Sequence, residues 1–362
     1  MSYTIKPEDI VKVSLTIINQ NQEKQVIELD CHDISPAGKL TLEQSPSPNS
    51  ACKTTKTPWY HQLMALKNAL SPLKTAVVHP VDELSLQGAI AAAEAGLMTP
   101  ILVGPKQKIL DAAQAAQIDI TPYPIIATQH STEAAEVAVK MAKRHQVEAL
   151  MKGKIHTDEF MKAILDKKHG LRTGRRMSHV FSLEVPHYPK PLFLTDAAIN
   201  LFPHLHEKED IVQNAIDLFR ALGLGTPKVA ILSAVETVNE KIPSTLDATA
   251  LCKMAERGQI TGGILDGPLA FDNAISIESA LVKGLTSPVA GHADILVVPD
   301  VESGNMLYKQ MTYLSGIEAA GIVLGASVPI ILTSRGSNEL SRKASCAMAL
   351  LYARREHHDV KS

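Results

Sequence analysis

Residues 75–103, TAVVHPVDELSLQGAIAAAEAGLMTPILV, decide the fold class. Thr75–His79 is a short apolar run, Glu83–Ala95 is an Ala-rich stretch suited to a helix, and Thr99–Val103 is a second apolar run closed by Gly104-Pro105. Short apolar runs without alternation read as strands buried on both faces, and strand–helix–strand at this spacing is a βαβ unit.

The same pattern recurs outward from that stretch. Ala134–His145 reads as a helix and Ala149–Met151 as the end of a strand. Val229–Leu232, Gly263–Leu265, Ile295–Val298 and Val328–Leu332 are further short apolar runs, separated by helical stretches over Ile211–Leu222, Leu246–Glu256, Met306–Ala319 and Leu340–Arg354. Repeated βα units predict an α/β protein with a parallel sheet covered on both faces. Ligands in such sheets sit at the carboxyl ends of the strands, so the chemistry is expected just after each strand.

Upstream of Trp59 the character differs. Lys12–Asn19 and Gln25–Cys31 are rich in Val, Ile and Leu and flank the polar Asn19-Gln20-Asn21-Gln22, a hairpin signal. Pro36, Pro46, Pro48 and Pro58 lie among Ser, Thr, Asn and Lys, so 36–58 reads as a linker.

At 362 residues, 45% hydrophobic and 20% charged, the chain has the composition of a globular enzyme with a sizeable core. A net charge of −2 argues against a general nucleic-acid binder. Four scattered cysteines give no disulfide framework, no apolar run has the length of a membrane span, and residues 1–9 do not read as a signal peptide. A cytoplasmic enzyme is the expectation, with no membrane and no nucleic acid among its partners.

Four constellations follow strands. Lys152-Gly153-Lys154-Ile155-His156-Thr157 offers a glycine for close backbone approach, Lys154 as a point charge, His156, and Thr157 as a cap for a helix begun by Asp158; the alternative is a solvated basic turn. Arg172-Thr173-Gly174-Arg175-Arg176 suits multidentate phosphate recognition, or is an exposed basic loop. Asp300-Val301-Glu302-Ser303-Gly304-Asn305-Met306-Leu307-Tyr308-Lys309 reads as a tight turn at Gly304-Asn305 that opens a helix. Thr333-Ser334-Arg335-Gly336 puts a hydroxyl beside a guanidinium, which can hold a carbonyl and a phosphate together; an N-cap serine with a surface arginine is the plainer reading. Leu194-Thr195-Asp196 and Asp266-Gly267-Pro268 are weaker candidates. The sequence has no Walker P-loop, no G-x-G-x-x-G after a strand, no H-E-x-x-H and no G-x-S-x-G. No metal site is expected.

These motifs, in this order and spacing from about Trp59 to Arg354, resemble the phosphate acetyl/butyryltransferase family. The K-G-x-x-H-T and L-R-T-G-R-R segments look closer to its butyryl branch, and to the acyltransferase half of fusions with an enoyl-CoA hydratase. Asp9–Asp33 then resembles the last hairpin of a hot-dog hydratase domain whose catalytic part is absent. The resemblance implies a two-domain α/β/α fold like isocitrate and isopropylmalate dehydrogenases, with a central cleft. Mapped here, 1–58 is an extension and linker, 59–176 plus 320–362 one domain, and 177–319 the other. It implies a homodimer, coenzyme A and acyl phosphate as substrates, and no cofactor. Ser334 would steady the reacting carbonyl or phosphate and Arg335 would bind phosphate. Lys154, His156, Thr157, Arg172, Thr173, Arg175, Arg176, Asp300, Glu302, Gly304, Asn305, Tyr308 and Lys309 are the expected substrate-binding residues. The family's acetyltransferases place an aspartate seven residues after the serine as base. Here that position is Ser341, with Glu339 the nearby acid but about 200° away in helical phase. A metal-dependent decarboxylating dehydrogenase of the same fold, or a non-catalytic CoA-binding protein, are the alternatives.

Overall fold

The structure is a computed structural model that describes residues 58–67, 70–332 and 338–354 fully, and residues 12–18, 24–30 and 355–359 as backbone. The chain divides into two units, 1–56 and 57–362. In the first, β1 (Lys12–Ile18) pairs antiparallel with β2 (Lys24–Asp30), in register from Lys12↔Asp30 to Ile18↔Lys24, as the two apolar runs predicted.

The second unit opens with α1 (Trp59–Leu66) and then builds βα units: β3 (Leu73–Val78), α2 (Glu83–Glu94), β4 (Met98–Gly104), α3 (Lys106–Ala116), β5 (Ile125–Ala127), α4 (Ser131–Lys143), β6 (Ala149–Lys152) and α5 (Thr157–Leu165). After β7 (Ser178–Glu184) come β8 (Leu192–Thr195), α6 (Leu205–Ala221), β9 (Lys228–Leu232), α7 (Pro243–Glu256), β10 (Ile264–Leu269), α8 (Phe271–Ile275), α9 (Ile277–Val282), β11 (Ile295–Val297) and α10 (Val301–Lys309). A π-helical turn over Gln310–Leu314 leads into β12 (Glu318–Leu324), β13 (Ile330–Ile331) and α11 (Glu339–Asp359).

All eleven strands of this unit form one sheet in the order β10-β9-β11-β8-β7-β12-β13-β6-β3-β4-β5. It is not wholly parallel. β7 pairs antiparallel with both β8 and β12, and β12 antiparallel with β13. The strands on either side of this centre are parallel within their own group. The two groups therefore run in opposite directions, and the expected single carboxyl edge becomes two. Turns after β3 and β6 leave the sheet at one edge, and turns after β8, β9 and β11 leave at the other.

The Met306–Ala319 stretch corrects the expected helix. The helix begins five residues earlier, where the Asp300 carboxylate accepts the Ser303 N–H at 2.8 Å. It stops before Gly316, whose φ of +62° is costly for other residues. Residues 318–324 are then free to form β12. The apolar face of the sheet that carries Leu73, Val77, Met151, Ile322 and Ile331 packs on α2, α6, α7 and α11. The opposite face is covered by α4 and α5 over one strand group and by α8 to α10 over the other. This is the α/β/α layering expected of the fold.

Candidate active site

The turn after β6 is fixed by backbone contacts. Gly153 N–H donates to Val78 O and Lys154 N–H to His79 O, each at 2.9 Å. A Cβ on Gly153 would come within 2.6 Å of Val78 O, so this glycine serves the close approach of β3. His156, not Thr157, is the N-cap of α5, and its side chain makes no capping bond; Thr157 is the first helical residue. The first turn already carries Asp158 and Glu159. Hydrogen bonds from Thr132 and Ser131 hold the Glu159 carboxyl below the usual range. Lys154, His156 and Thr157 are exposed. Burial opposes ionisation of Asp82, but hydrogen bonds from Ser85 outweigh it and hold the carboxyl below its ordinary value, with a smaller contribution from the Lys154 charge.

The basic run after α5 separates into two kinds of arginine. Arg175 pairs with Asp217 of α6. Arg176 pairs with Glu207 at 2.9 Å, takes the Asp210 carboxylate on its N–H at 2.8 Å, and donates its Nε to Asn200 at 2.7 Å. Thr173 donates its hydroxyl to Gly325 O at 2.7 Å. The Arg172 side chain is exposed and makes no ion pair among the described residues, while its backbone bridges to Ala326.

At the other carboxyl edge Asp196 is 3% exposed. Its carboxylate accepts the N–H groups of Ala198, Ile199 and Asn200 and the Asn200 amide at 2.6 Å. Burial nonetheless pushes this carboxyl up from its ordinary value. Asn200 ties it to Arg176, so Asp196 and Arg176 belong to one network. Asp266 accepts the N–H of Gly267 at 2.9 Å, a local turn bond.

Gly304 and Asn305 lie inside α10 and form no turn. A Cβ on Gly304 would meet Val298 Cγ2 at 2.6 Å and Ala197 Cα at 3.0 Å, so the glycine lets α10 lie on the β8 turn. The Asn305 amide donates to Ala197 O at 3.2 Å. Tyr308 stacks on Phe181 with ring centroids 3.9 Å apart, and Lys309 Nζ lies 5.9 Å from the Tyr308 ring. Glu302 is exposed.

Thr333-Ser334-Arg335-Gly336 lies outside the described residues. The residues that follow it are placed. Glu339 is exposed and paired with Lys343. Ser341 is 4% exposed, and its hydroxyl donates to Glu318 Oε2 at 3.0 Å. The Asn338 amide donates to both oxygens of Glu318, at 2.7 and 2.8 Å, while its own oxygen accepts the Ser341 N–H. Glu318 was invisible in the sequence because it fell at the end of an expected helix.

His179, on β7, was also missed. Its ring is fully buried, neither nitrogen has a well-formed hydrogen bond among the described residues although the Leu332 carbonyl is nearby, and it lies against Phe181 at 4.0 Å. Burial depresses its pKa to about 4, a shift the Leu332 carbonyl partly offsets. No signal beyond a lone histidine in an apolar run marked it.

The known proteins similar to this chain agree with one another. Residues 123–349 match the family model described as Phosphate acetyl/butaryl transferase. A phosphate acetyltransferase of Rhizobium meliloti is 59% identical over 82% of this chain and 94% of its own length. A phosphate butyryltransferase of Clostridium acetobutylicum is 42% identical over 77% of this chain and 93% of its own. The crystal structure of a branched-chain phosphotransacylase from Enterococcus faecalis superimposes with a TM-score of 0.67 at 29% identity, covering 78% of this chain and 99% of that one. The chain belongs to the phosphate acetyl/butyryltransferase family and is a phosphate acyltransferase.

Proposed function

We propose that the acyl group is acetyl: acetyl-CoA and phosphate exchange reversibly with acetyl phosphate and CoA. The observation that carries this is the order of identities, 59% to an acetyltransferase against 42% to a butyryltransferase. That order runs against the leaning of the K-G-x-x-H-T and L-R-T-G-R-R segments.

In this reading the two oppositely directed strand groups are the two domains, 59–176 plus 320–362 and 177–319. The substrates meet between them, and the enzyme works as a cytoplasmic homodimer without a cofactor. Ser334 steadies the carbonyl and Arg335 takes the phosphate. Lys154 and Arg172, exposed cations, add charge for the phosphates of the substrates. Arg175 and Arg176, paired with α6, shape the wall that carries Arg172. The thiol sulfur attacks the carbonyl carbon, the C–O bond to phosphorus breaks, and phosphate leaves with the electron pair. Orientation of two bound substrates supplies much of the acceleration.

Thioester formation from CoA with acetyl or butyryl phosphate tests the proposal. Acetyl phosphate is expected to give the larger kcat/KM, and a preference for butyryl phosphate would overturn the assignment. Ser334→Ala and Arg335→Ala should each lower kcat by about 10²-fold or more.

A further inference from the structure

We infer that His79 is the positioning residue for Lys154: its carbonyl and its ring hold that residue at both ends and fix where the cation stands. This rests on the acyl-transfer reading above, in which Lys154 meets substrate phosphate.

Among the described residues three non-glycines have positive φ, and His79 is one, at +57°. The other two, Gln117 and His145, end α3 and α4, where a left-handed residue is a common way to stop a helix. His79 ends no helix. It is the first residue after β3, and a side chain in that conformation is strained. Such strain persists only where the surroundings over-determine it, and it gathers at functional sites.

Here the surroundings are bonds to two neighbouring strands. His79 N–H donates to Val103 O of β4 at 2.7 Å, and His79 O accepts the N–H of Lys154 at 2.9 Å and of Val81 at 3.0 Å. Ring Nδ1 lies 2.7 Å from Lys154 O. A carbonyl oxygen only accepts, so Nδ1 carries the proton. One residue therefore holds both the N–H and the C=O of Lys154. Gly153 allows the approach, since a Cβ there would come within 2.8 Å of His79 C and O.

The sheet places this clamp at a ligand edge. β3 lies between β4 and β6 and runs parallel to both. The chain leaves β3 for α2 on one face of the sheet and leaves β6 for α5 on the opposite face. Neighbouring strands whose connections depart to opposite faces leave a crevice at their carboxyl ends, which is where open α/β sheets bind ligands. His79 and Lys154 join the two sides of that crevice. Without the imidazole, Lys154 keeps its N–H bond and loses the one to its carbonyl, so its exposed ammonium is less well placed for a phosphate.

The test is steady-state kinetics with varied inorganic phosphate and saturating acetyl-CoA, or butyryl-CoA if the wild type prefers it. The variants are His79→Gly, His79→Asn, His79→Asp, Lys154→Ala and the double variant His79→Gly/Lys154→Ala, each with a thermal melt. Glycine adopts positive φ freely and removes only the ring, so its melt should stay near wild type. KM for phosphate should rise about tenfold with kcat within a few-fold, the mark of lost binding rather than lost chemistry. Asparagine tolerates left-handed backbone, and its Nδ2–H stands as many bonds from Cα as the histidine Nδ1, so it should return KM to within about twofold of wild type. Aspartate has that shape but only accepts, and should do no better than glycine. In the double variant KM should stay within about threefold of Lys154→Ala, because His79 acts through that residue. A merely structural role would move the melt and give additive losses. A wild-type KM in folded His79→Gly or in Lys154→Ala would overturn the inference, as would additive losses in the double variant or no recovery with asparagine. If His79→Gly does not fold, a wild-type KM in folded His79→Asp overturns it instead. A wild-type protein inactive with acetyl and butyryl substrates would remove the acyl-transfer reading as well, whereas an active wild type with an unaffected glycine variant removes this inference alone.

Discussion

Asp196 and Glu318 are both carboxylates held by uncharged donors, and burial separates them. Asp196 is almost fully buried and saturated, with three backbone N–H groups and an amide closing its oxygens. It clamps the turn after β8 and has little room for a ligand. Glu318 is half-buried and is held by side chains, Asn338 and Ser341, rather than by backbone. Two carboxylates with similar donors therefore differ in what removing them would do: one closes a buried turn, the other ties a helix start to a strand.

Asp196→Ala offers the largest test of that contrast. Leaving three N–H groups, of which only that of Asn200 belongs to a buried residue, and the Asn200 amide without their acceptor should cost on the order of 2–4 kcal/mol, measured by urea unfolding. A cost below ~1 kcal/mol would mean that the turn after β8 holds without its carboxylate. Acid gives the next effect. The His179 pKa of about 4 lies below its ordinary 6.5, so the unfolded chain binds the proton first. Its contribution is fully present above pH 6.5 and is lost as pH falls toward about 4, a change of about 3 kcal/mol. Asp196, raised by burial, acts in the opposite sense, adding stability as pH falls. Unfolding measured from pH 7 to 4 should show the net loss, and His179→Leu should flatten it.

Smaller effects divide the arginines. Arg172→Ala should raise KM for the phosphate-bearing substrates about tenfold, because its exposed side chain makes no ion pair among the described residues. Arg175→Ala should leave those KM values within about twofold and cost less than ~1 kcal/mol of stability, the usual worth of a partly exposed ion pair. If Arg175→Ala carries the KM effect instead, the division by ion pairing is wrong.

Much of the fold is legible in local pattern. The hairpin, the βα units from Leu73 to Lys152 and the strands at 229, 264 and 295 follow from short apolar runs bounded by turns. The strand reversal is not legible in the same way. Glu318–Leu324 contains Ala, Gly and Leu as well as Ile and Val, and joins an apolar helix without a proline break, so periodicity cannot separate the two. Its partner β7 looks like any buried strand, since pairing direction leaves no mark on composition. The site was legible as residue types and was blurred by partners. The arginines at 175 and 176 announce an anion, but α6 supplies the carboxylates for both. Ser341 reads as a missing acid until the neighbour it touches is known, and that neighbour is 23 residues earlier in the chain.

The position of β13 has a consequence for synthesis. Ile330 and Ile331 pair with Leu150 and Met151 of β6, and α11 then packs on α1 and α2 near the start of the same unit. Until the last few dozen residues leave the ribosome, β6 is an open edge of a half-built sheet, rich in apolar side chains and able to pair with another chain. Translation that stops after β12 would therefore yield more than a short, inactive enzyme. It would release a template for aggregation, which makes the C-terminal segment this protein's own guard against misassembly.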